Sequence, residues 1–449
     1  MSLRQLLQRR MATEGPIRVG LIGAGKFGSM FLSQVPSTCG LEVTVIADVD
    51  PQRGHEACQA VGWDADRVSR TRFVDDDSTL IAADDVDVVV EATGNPAAGV
   101  KHARAAVRNG RHIVMVNVEA DVLAGPLLAR EAEAAGTVYS MAYGDQPALI
   151  CELVDWGRSC GFDVVAAGKG TKYLPSYHQS TPDTVWDHYG ITLEQAQAAR
   201  MNPQMFNSFL DGTKSAIEMA AVANATGLTP APQGLSFPAS GIDDMPQVLR
   251  PRDMGGQLHH KGQVEVISSL ERDGRAVHRD LRWGVYVILE APNDYSARCF
   301  RQYGLLTDET GRYAAMYKPY HLIGLELNVS IFSAALRGEA TGCTSGFQGD
   351  AVATAKRNLS AGEVLDGEGG FTVRGRLLPA RHSLESGSLP IGLAHGVQLV
   401  RDVQAGQTVR WSDISIDETV EAVRLRRSME QAYRAEWNIA ETQADQSSL

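Results

Sequence analysis

Residues 311–326 read GRYAAMYKPYHLIGLE, and the centre of that run gathers two phenols, an ammonium and an imidazole: Tyr317, Lys318, Tyr320 and His321. Such groups can steady a developing oxyanion, move a proton near neutral pH, or grip a phosphate or carboxylate. The competing structural role is two core aromatics with tethered hydroxyls beside a lysine that snorkels outward. Other cations lie upstream. An apolar run, FDVVAAG, leads into a polar loop with Lys169, Lys172, Tyr173, Tyr177, His178 and His188, and Lys214 follows in NPQMFNSFLDGTKSAIE. Lys169 and Lys172, closely spaced after a strand end, are placed to meet an anion.

These side chains need a scaffold, and its first part is the plainest. IRVGLIGAGKFG is an apolar strand run followed by Gly23-Ala24-Gly25-Lys26-Phe27-Gly28. Gly23 suits the tight turn, Gly25 lets the backbone approach a pyrophosphate, and Gly28 allows close packing of helix on strand. A second run, VTVIADVD, places Asp48 where an acid can bind the adenosine ribose hydroxyls. Asp48 favours NAD over NADP, whereas Arg53 can neutralise a 2'-phosphate, so both cofactors stay open. DVDVVVEATG is expected as a buried strand that ends at Glu91 to Gly94, the stretch to Asn109 as a helix, and RHIVMVNVEA as another strand that carries Asn117. This alternation specifies an α/β fold with a doubly wound parallel sheet.

Beyond about residue 145 the composition changes. A helix is expected with Ile150, Leu153, Val154 and Trp156 inward; NPQMFNSFLDGTKSAIEMAAVANATGL is expected as one helix with Asp211 and Lys214 on one face. QLHHKGQVEVISSLERDG and RDLRWGVYVILEA are expected as antiparallel strands joined at Arg272-Asp273-Gly274. LIGLELNVSIFSAAL is expected as a helix. Residues 350–416 are glycine-rich with short alternating runs and two similar phrases, NLSAGEVLDGEG and DVQAGQTVRWSD, and are expected to form a small all-β module. A helix then carries Val420, Val423, Leu425, Met429, Tyr433 and Trp437 before a disordered AETQADQSSL. The expected domains are 1–150, 151–345 and 346–449.

Composition narrows the function classes. A net charge of -12 argues against nucleic acid as a general partner. No apolar run approaches the roughly 18 residues of a membrane span, and the opening MSLRQLLQRRMATEG has no signal-type apolar core, so a cytoplasmic location is expected. The 6 cysteines form no CxxC pair, which points to neither a disulfide framework nor a cysteine zinc site.

The chain resembles the SAF-domain oxidoreductases that join a homoserine-dehydrogenase-like nucleotide-binding half to a C-terminal SAF module. Within them it is most similar to the 1-deoxy-D-xylulose 5-phosphate reductoisomerase-like family. The resemblance is carried by IRVGLIGAGKFGSMF, VYSMAYGDQPALICELVDWGRSCGF, NPQMFNSFLDGTKSAIE, HHKGQVEVISSLERDG, YKPYHLIGLE and VATAKRNLSAGEVLDGEGG. It implies a Rossmann domain, an α+β substrate and dimerisation domain, and the SAF module, working as a homodimer. It also implies NAD(P)H-dependent conversion of 1-deoxy-D-xylulose 5-phosphate to 2-C-methyl-D-erythritol 4-phosphate, as in isoprenoid precursor synthesis. The alternatives are oxidoisomerisation or dehydrogenation of a branched sugar acid such as apionate, or a homoserine-dehydrogenase-like reaction. Against homoserine itself, MVNVEAD places Glu119 where those enzymes carry a lysine.

A rearranging hydroxy-carbonyl compound passes through an enolate or alkoxide, for which Lys172, Lys214 and Lys318 are the candidate cations. Tyr317 donates a hydrogen bond and His321 moves a proton. Asp145 is expected to orient or deprotonate a substrate hydroxyl, with Glu119 next in line, and the nicotinamide to rest near Thr93, Gly94 and Asn117. A divalent metal is not carried over by any motif; Asp145, Glu119 and Glu152 are the oxygens one would use.

Overall fold

The structure is a computed structural model that describes residues 2–199 and 201–439. The run AETQADQSSL, expected to be disordered, lies outside the described residues. The chain divides into two compact units, Met1–Glu152 with His321–Ser345 and Leu153–Tyr320 with Gly346–Leu449.

In the first unit six parallel strands, β1 (Ile17–Ile22), β2 (Leu41–Ala47), β3 (Arg72–Val74), β4 (Val88–Glu91), β5 (His112–Met115) and β6 (Tyr139–Met141), run in the order β3-β2-β1-β4-β5-β6. β4 is buried along its whole length, as a central strand covered on both faces must be. The order reverses between β1 and β4, which opens a crevice at their carboxyl ends. The expected doubly wound sheet is present, but RHIVMVNVEA is not one strand. Asn117 ends it by capping the helix Val118–Ala134, its Oδ1 accepting the Ala120 N–H at 3.1 Å.

Residues 321–345, expected to belong to the middle domain, pack instead with this first unit: Leu327 and Ile331 join the core formed by Phe31, Leu32 and Val114. The helix there is only Asn328–Arg337. Gly324, at φ +80°, turns the chain so close to Phe27 that a Cβ would lie 2.9 Å from the Phe27 carbonyl oxygen.

The second unit holds β7 (Asp163–Thr171), β8 (Gln263–Ser268), β9 (Val285–Glu290), β10 (Leu306–Thr307) and β11 (Tyr313–Lys318) in the order β10-β11-β9-β7-β8. The expected β8–β9 hairpin does not form, because β7 lies between them, parallel to β8 and antiparallel to β9. The Arg272-Asp273-Gly274 turn closes only the small Leu270–Ala276 bridge. Gly168 of β7 permits this insertion, since a Cβ would fall 1.7 Å from the Glu265 carbonyl oxygen.

The single helix expected over NPQMFNSFLDGTKSAIE is two, Pro203–Leu210 and Thr213–Thr226, broken at Gly212 with φ +91°. Asp211 and Lys214 therefore do not share a helix face. Trp156, expected inward, is exposed on the helix Gln146–Ser159, while Ile150 and Val154 are buried.

The C-terminal module adds β12 (Gly349–Ala355) paired with β14 (Val373–Pro379), and β13 (Val364–Asp366), β15 (His395–Leu399) and β16 (Ile414–Ser415) in a second small sheet. The two similar phrases face each other: the Leu359 N–H donates to Val403 O at 2.8 Å and the Val403 N–H returns at 2.9 Å. The last helix, Glu421–Trp437, buries Val423, Leu425, Met429 and Tyr433 as its spacing requires. Among the described residues no helix is long and apolar enough to cross a membrane, and all six cysteines are free.

Candidate functional site

The nucleotide-site candidates of the first unit meet at the carboxyl ends of β1, β2, β4 and β5. Gly23 adopts φ +94°, and a Cβ there would lie 2.8 Å from Ala92 O; one on Gly28 would lie 2.4 Å from Gly23 O. Neither position admits a side chain. Gly25 differs: it caps the helix Lys26–Gln34 with no side-chain hydrogen bond, and a Cβ would meet nothing within 4 Å. The open backbone and uncapped N–H groups of that helix suit an anionic pyrophosphate. Lys26 is exposed beside it, and Phe27 packs partly on the core beneath.

Asp48 ends β2 buried, its Oδ2 accepting the Ala24 N–H at 2.9 Å, and Arg53 Nη1 lies 3.6 Å from Oδ1. Thr93 Oγ1 donates to Glu91 Oε1 at 2.5 Å, and Gly94 follows in the left-handed region at φ +69°. The Asn117 amide donates to Asn95 O at 2.8 Å, so much of its hydrogen bonding ties the loops after β4 and β5 together. These residues fit a dinucleotide: an open helix start for the phosphates, with a carboxylate and a guanidinium at the end of the adjacent strand.

Three acid–base candidates also lie in this unit. Glu119 is buried in the first turn of the helix Val118–Ala134. Asp145 follows the tight turn at Gly144, φ +95°, and its Oδ1 accepts the Gln146 N–H at 2.9 Å. His321 Nε2 is 3.2 Å from Gln146 Nε2, so Gln146 links two candidates far apart in sequence. Tyr143 donates to Glu152 at 2.5 Å, and burial first, then Glu152, pushes its phenol above the ordinary range. Among the described residues no group of three or more His, Cys, Asp or Glu is gathered to hold a metal ion.

Within the run YKPYH the first two side chains part. Tyr317 and Lys318 are consecutive in β11, so their side chains leave opposite faces. Tyr317 packs toward the core of Tyr313, Ala315 and Tyr286. Lys318 lies over the Tyr320 ring at 5.4 Å, and His321 already belongs to the first unit. Pairing aligns Lys318 with Val285 and Val285 with Lys169, which puts both lysines on one sheet face.

Lys169, read as free to meet an anion, is buried in β7 and ion-paired with Glu218. Glu218 is four residues beyond Lys214, one helical turn along. Lys172 remains half-buried after β7, donating to His188 O and lying 5.8 Å from the Tyr189 ring. Burial, and to a lesser degree Arg282, lowers its pKa from the ordinary lysine value. Sequence reasoning missed the buried pairs Lys169–Glu218 and Lys356–Asp211, the latter at 2.8 Å, because their partners are distant in the chain.

Comparison with known proteins follows this division. Residues 17–116 match the family model described as "Oxidoreductase family, NAD-binding Rossmann fold", residues 144–327 the model "Oxidoreductase DRL, catalytic domain", and residues 350–415 the model "SAF domain". The chain thus carries, in order, an NAD-binding Rossmann domain of oxidoreductase type, an oxidoreductase catalytic domain and a SAF domain.

Among curated relatives, an inositol 2-dehydrogenase of Acidothermus cellulolyticus is 36% identical over 87 residues, 19% of this chain and 24% of that protein. A 1-deoxy-D-xylulose 5-phosphate reductoisomerase of Thermus thermophilus is 34% identical over 111 residues, 24% of this chain and 30% of that protein. The chain therefore spans only about a quarter to a third of the curated relatives it matches. Among solved structures, a probable dehydrogenase of Thermotoga maritima covers 72% of this chain and 90% of its own at 15% identity and TM-score 0.38.

Proposed function

We propose that the chain is an NAD(P)-dependent oxidoreductase acting on a CH–OH group of a small polyhydroxylated compound, a sugar, cyclitol or sugar acid. The observation that carries this reading is the open glycine loop at the start of the helix Lys26–Gln34, within a domain that matches an oxidoreductase NAD-binding model and precedes one for an oxidoreductase catalytic domain. The nicotinamide cofactor, when bound, accepts or supplies the hydride. The chain must handle the proton and the charge on oxygen. Asp145, oriented by the Gln146 amide, is assigned to take the proton of a substrate hydroxyl, with Glu119 as the second candidate; His321, also held by Gln146, moves it onward. Lys172, with Lys214 and Lys318, is assigned to the substrate's oxygens; Tyr317, which leaves the opposite face of β11 from Lys318 and packs on the core, is not.

A second reading keeps the carbon rearrangement of 1-deoxy-D-xylulose 5-phosphate to 2-C-methyl-D-erythritol 4-phosphate, and the partial identity to the Thermus thermophilus enzyme favours it. The two readings separate by product. Incubation with either dinucleotide and a panel of inositols, sugar acids including apionate, and pentulose phosphates is followed at 340 nm and by carbon-13 NMR. The dehydrogenase reading expects reduced nucleotide with unchanged carbon connectivity; altered connectivity selects the rearranging enzyme. Tight nucleotide binding without turnover on any of them would overturn both. A cytoplasmic homodimer is part of the proposal, tested by sedimentation of the purified chain.

A further inference from the structure

The second unit contains a cavity of about 180 Å³ whose walls include His178, Gly212, Phe237, Arg374, Arg376 and Leu377. Its arginines and Leu377 come from β14 of the SAF domain, and His178, Gly212 and Phe237 come from the catalytic domain. Arg374 and Arg376 are two apart on a strand and so project to the same face. Between them the Gly375 N–H donates to Thr213 Oγ1 at 2.8 Å, which pins the strand to the start of the helix Thr213–Thr226.

The charge there is not balanced. Two carboxylates are fully buried nearby and both are engaged, Asp211 by Lys356 at 2.8 Å and Glu265 by the Ser236 and Phe237 N–H groups. Among the described residues neither arginine has an ion-pair partner. Arg374 reaches Gly375 O at 3.4 Å, and Arg376 reaches Gln233 O at 3.3 Å. Two half-buried guanidinium groups facing a cavity without a carboxylate are an arrangement that an anion completes. His178 adds no charge: burial, then Arg374, pushes its pKa down to about 4. Its Nδ1–H donates to Asp211 O at 2.7 Å and its Nε2 accepts the Tyr173 hydroxyl at 3.0 Å, so it positions the wall.

The same wall is strained. Phe237 sits at φ +51°, a left-handed conformation that bulky side chains rarely adopt. Fully buried Glu265 holds it there by accepting the N–H groups of Ser236 at 3.1 Å and Phe237 at 3.3 Å, and the Phe237 ring stacks on Tyr173 at 3.9 Å. A volume of about 180 Å³ is below the roughly 300–1,000 Å³ usual for larger organic ligands. It suits a small anion with a few attached atoms.

We infer that this cavity binds the phosphate or carboxylate group of a small metabolite, gripped by Arg374 and Arg376 of the SAF domain. This stands apart from the assignment of the oxidoreductase reaction and is tested without turnover. Isothermal titration of the full chain with inorganic phosphate, and separately with tartrate, at constant ionic strength is expected to show saturable binding of at least one; which of the two binds distinguishes phosphate from carboxylate ligands. The double variant Arg374→Gln/Arg376→Gln is expected to weaken that binding about tenfold or more, with dinucleotide binding unchanged. Should the double variant fail to fold, Arg376→Gln alone carries the test, with a smaller loss in the same direction. No saturable heat with either anion, or wild-type affinity in a folded variant, overturns the inference.

Discussion

Asp48 Oδ2 accepts the amide N–H of Ala24 at 2.9 Å while Arg53 stands 3.6 Å from its other oxygen, so one carboxylate both braces the glycine loop and holds a guanidinium at the end of β2. Removing the brace loosens the loop and deletes the ribose acceptor. Asp48→Ala is expected to weaken NADH binding about tenfold or more, as loss of a hydrogen bond to a charged group does, and to weaken NADPH binding less. Arg53→Ala is expected to weaken NADPH more than NADH. Nucleotide fluorescence titrations measure both, and equal losses for the two cofactors would reject this division of roles.

Lys172 is the half-buried cation assigned to a developing negative oxygen. Lys172→Ala is expected to lower kcat about a hundredfold or more, the size of one lost oxyanion contact, with dinucleotide affinity unchanged. Burial lowers its pKa. The charged form is present below that pKa and lost as pH rises through it, so kcat is expected to fall on the alkaline side at a pH below the free-lysine value. Lys172→Arg, whose charge persists, should remove that alkaline fall whatever its effect on the rate. A pH–rate profile for the three proteins decides.

Asp121 is a pH-dependent element away from the assigned chemistry. Burial raises its pKa to about 6, although Tyr139 and Thr344 donate hydrogen bonds to it. Because the folded chain binds this proton more tightly than the unfolded one, the contribution is full below pH about 4 and lost as pH rises through about 6. Relative to Asp121→Asn, wild type is expected to lose about 2 kcal/mol of unfolding free energy between pH 4 and pH 7. Urea titrations at the two pH values measure this difference; a pH-independent difference would refute it.

How much of this could be read from the chain alone depended on how local the signal was. Gly23, Gly25 and Gly28 act within one turn, so their spacing announced the loop and the parallel sheet behind it. The run Tyr317–His321 looked like a cluster because its residues are adjacent, yet strand alternation turns Tyr317 and Lys318 to opposite faces. Asp211-Gly212 carried a readable turn signal that would have split the expected single helix. The pairings Lys169–Glu218 and Asp211–Lys356, and the insertion of β7 between β8 and β9, bring together residues 49 or more positions apart, and neither periodicity nor motif spacing reports such contacts.

Arg426, fully buried, is sandwiched between Asp350 at 2.6 Å and Glu430 at 2.8 Å, with its guanidinium 5.2 Å from the Phe347 ring. It ties the last helix to β12. Arg426→Ala leaves the buried Asp350 carboxylate without its cation, whereas Glu430 keeps Arg427 at 3.2 Å, and is expected to cost about 3–5 kcal/mol. Replacing Asp350, Arg426 and Glu430 together by apolar residues of similar volume should restore most of the loss. Chemical unfolding of both variants checks this, and a triple variant no more stable than the single one would contradict it.

The central claim, that a nicotinamide dinucleotide on the glycine loop drives this chain's chemistry, is tested most directly at Gly25. A Cβ there meets nothing within 4 Å, so Gly25→Val should fold like wild type while its side chain occupies the path of the pyrophosphate. NAD(P)H fluorescence titration of the two proteins, with thermal melts alongside, is the measurement. The expected result is an unchanged Tm with dinucleotide binding and turnover lost together. Wild-type dinucleotide affinity in the valine variant would contradict the account.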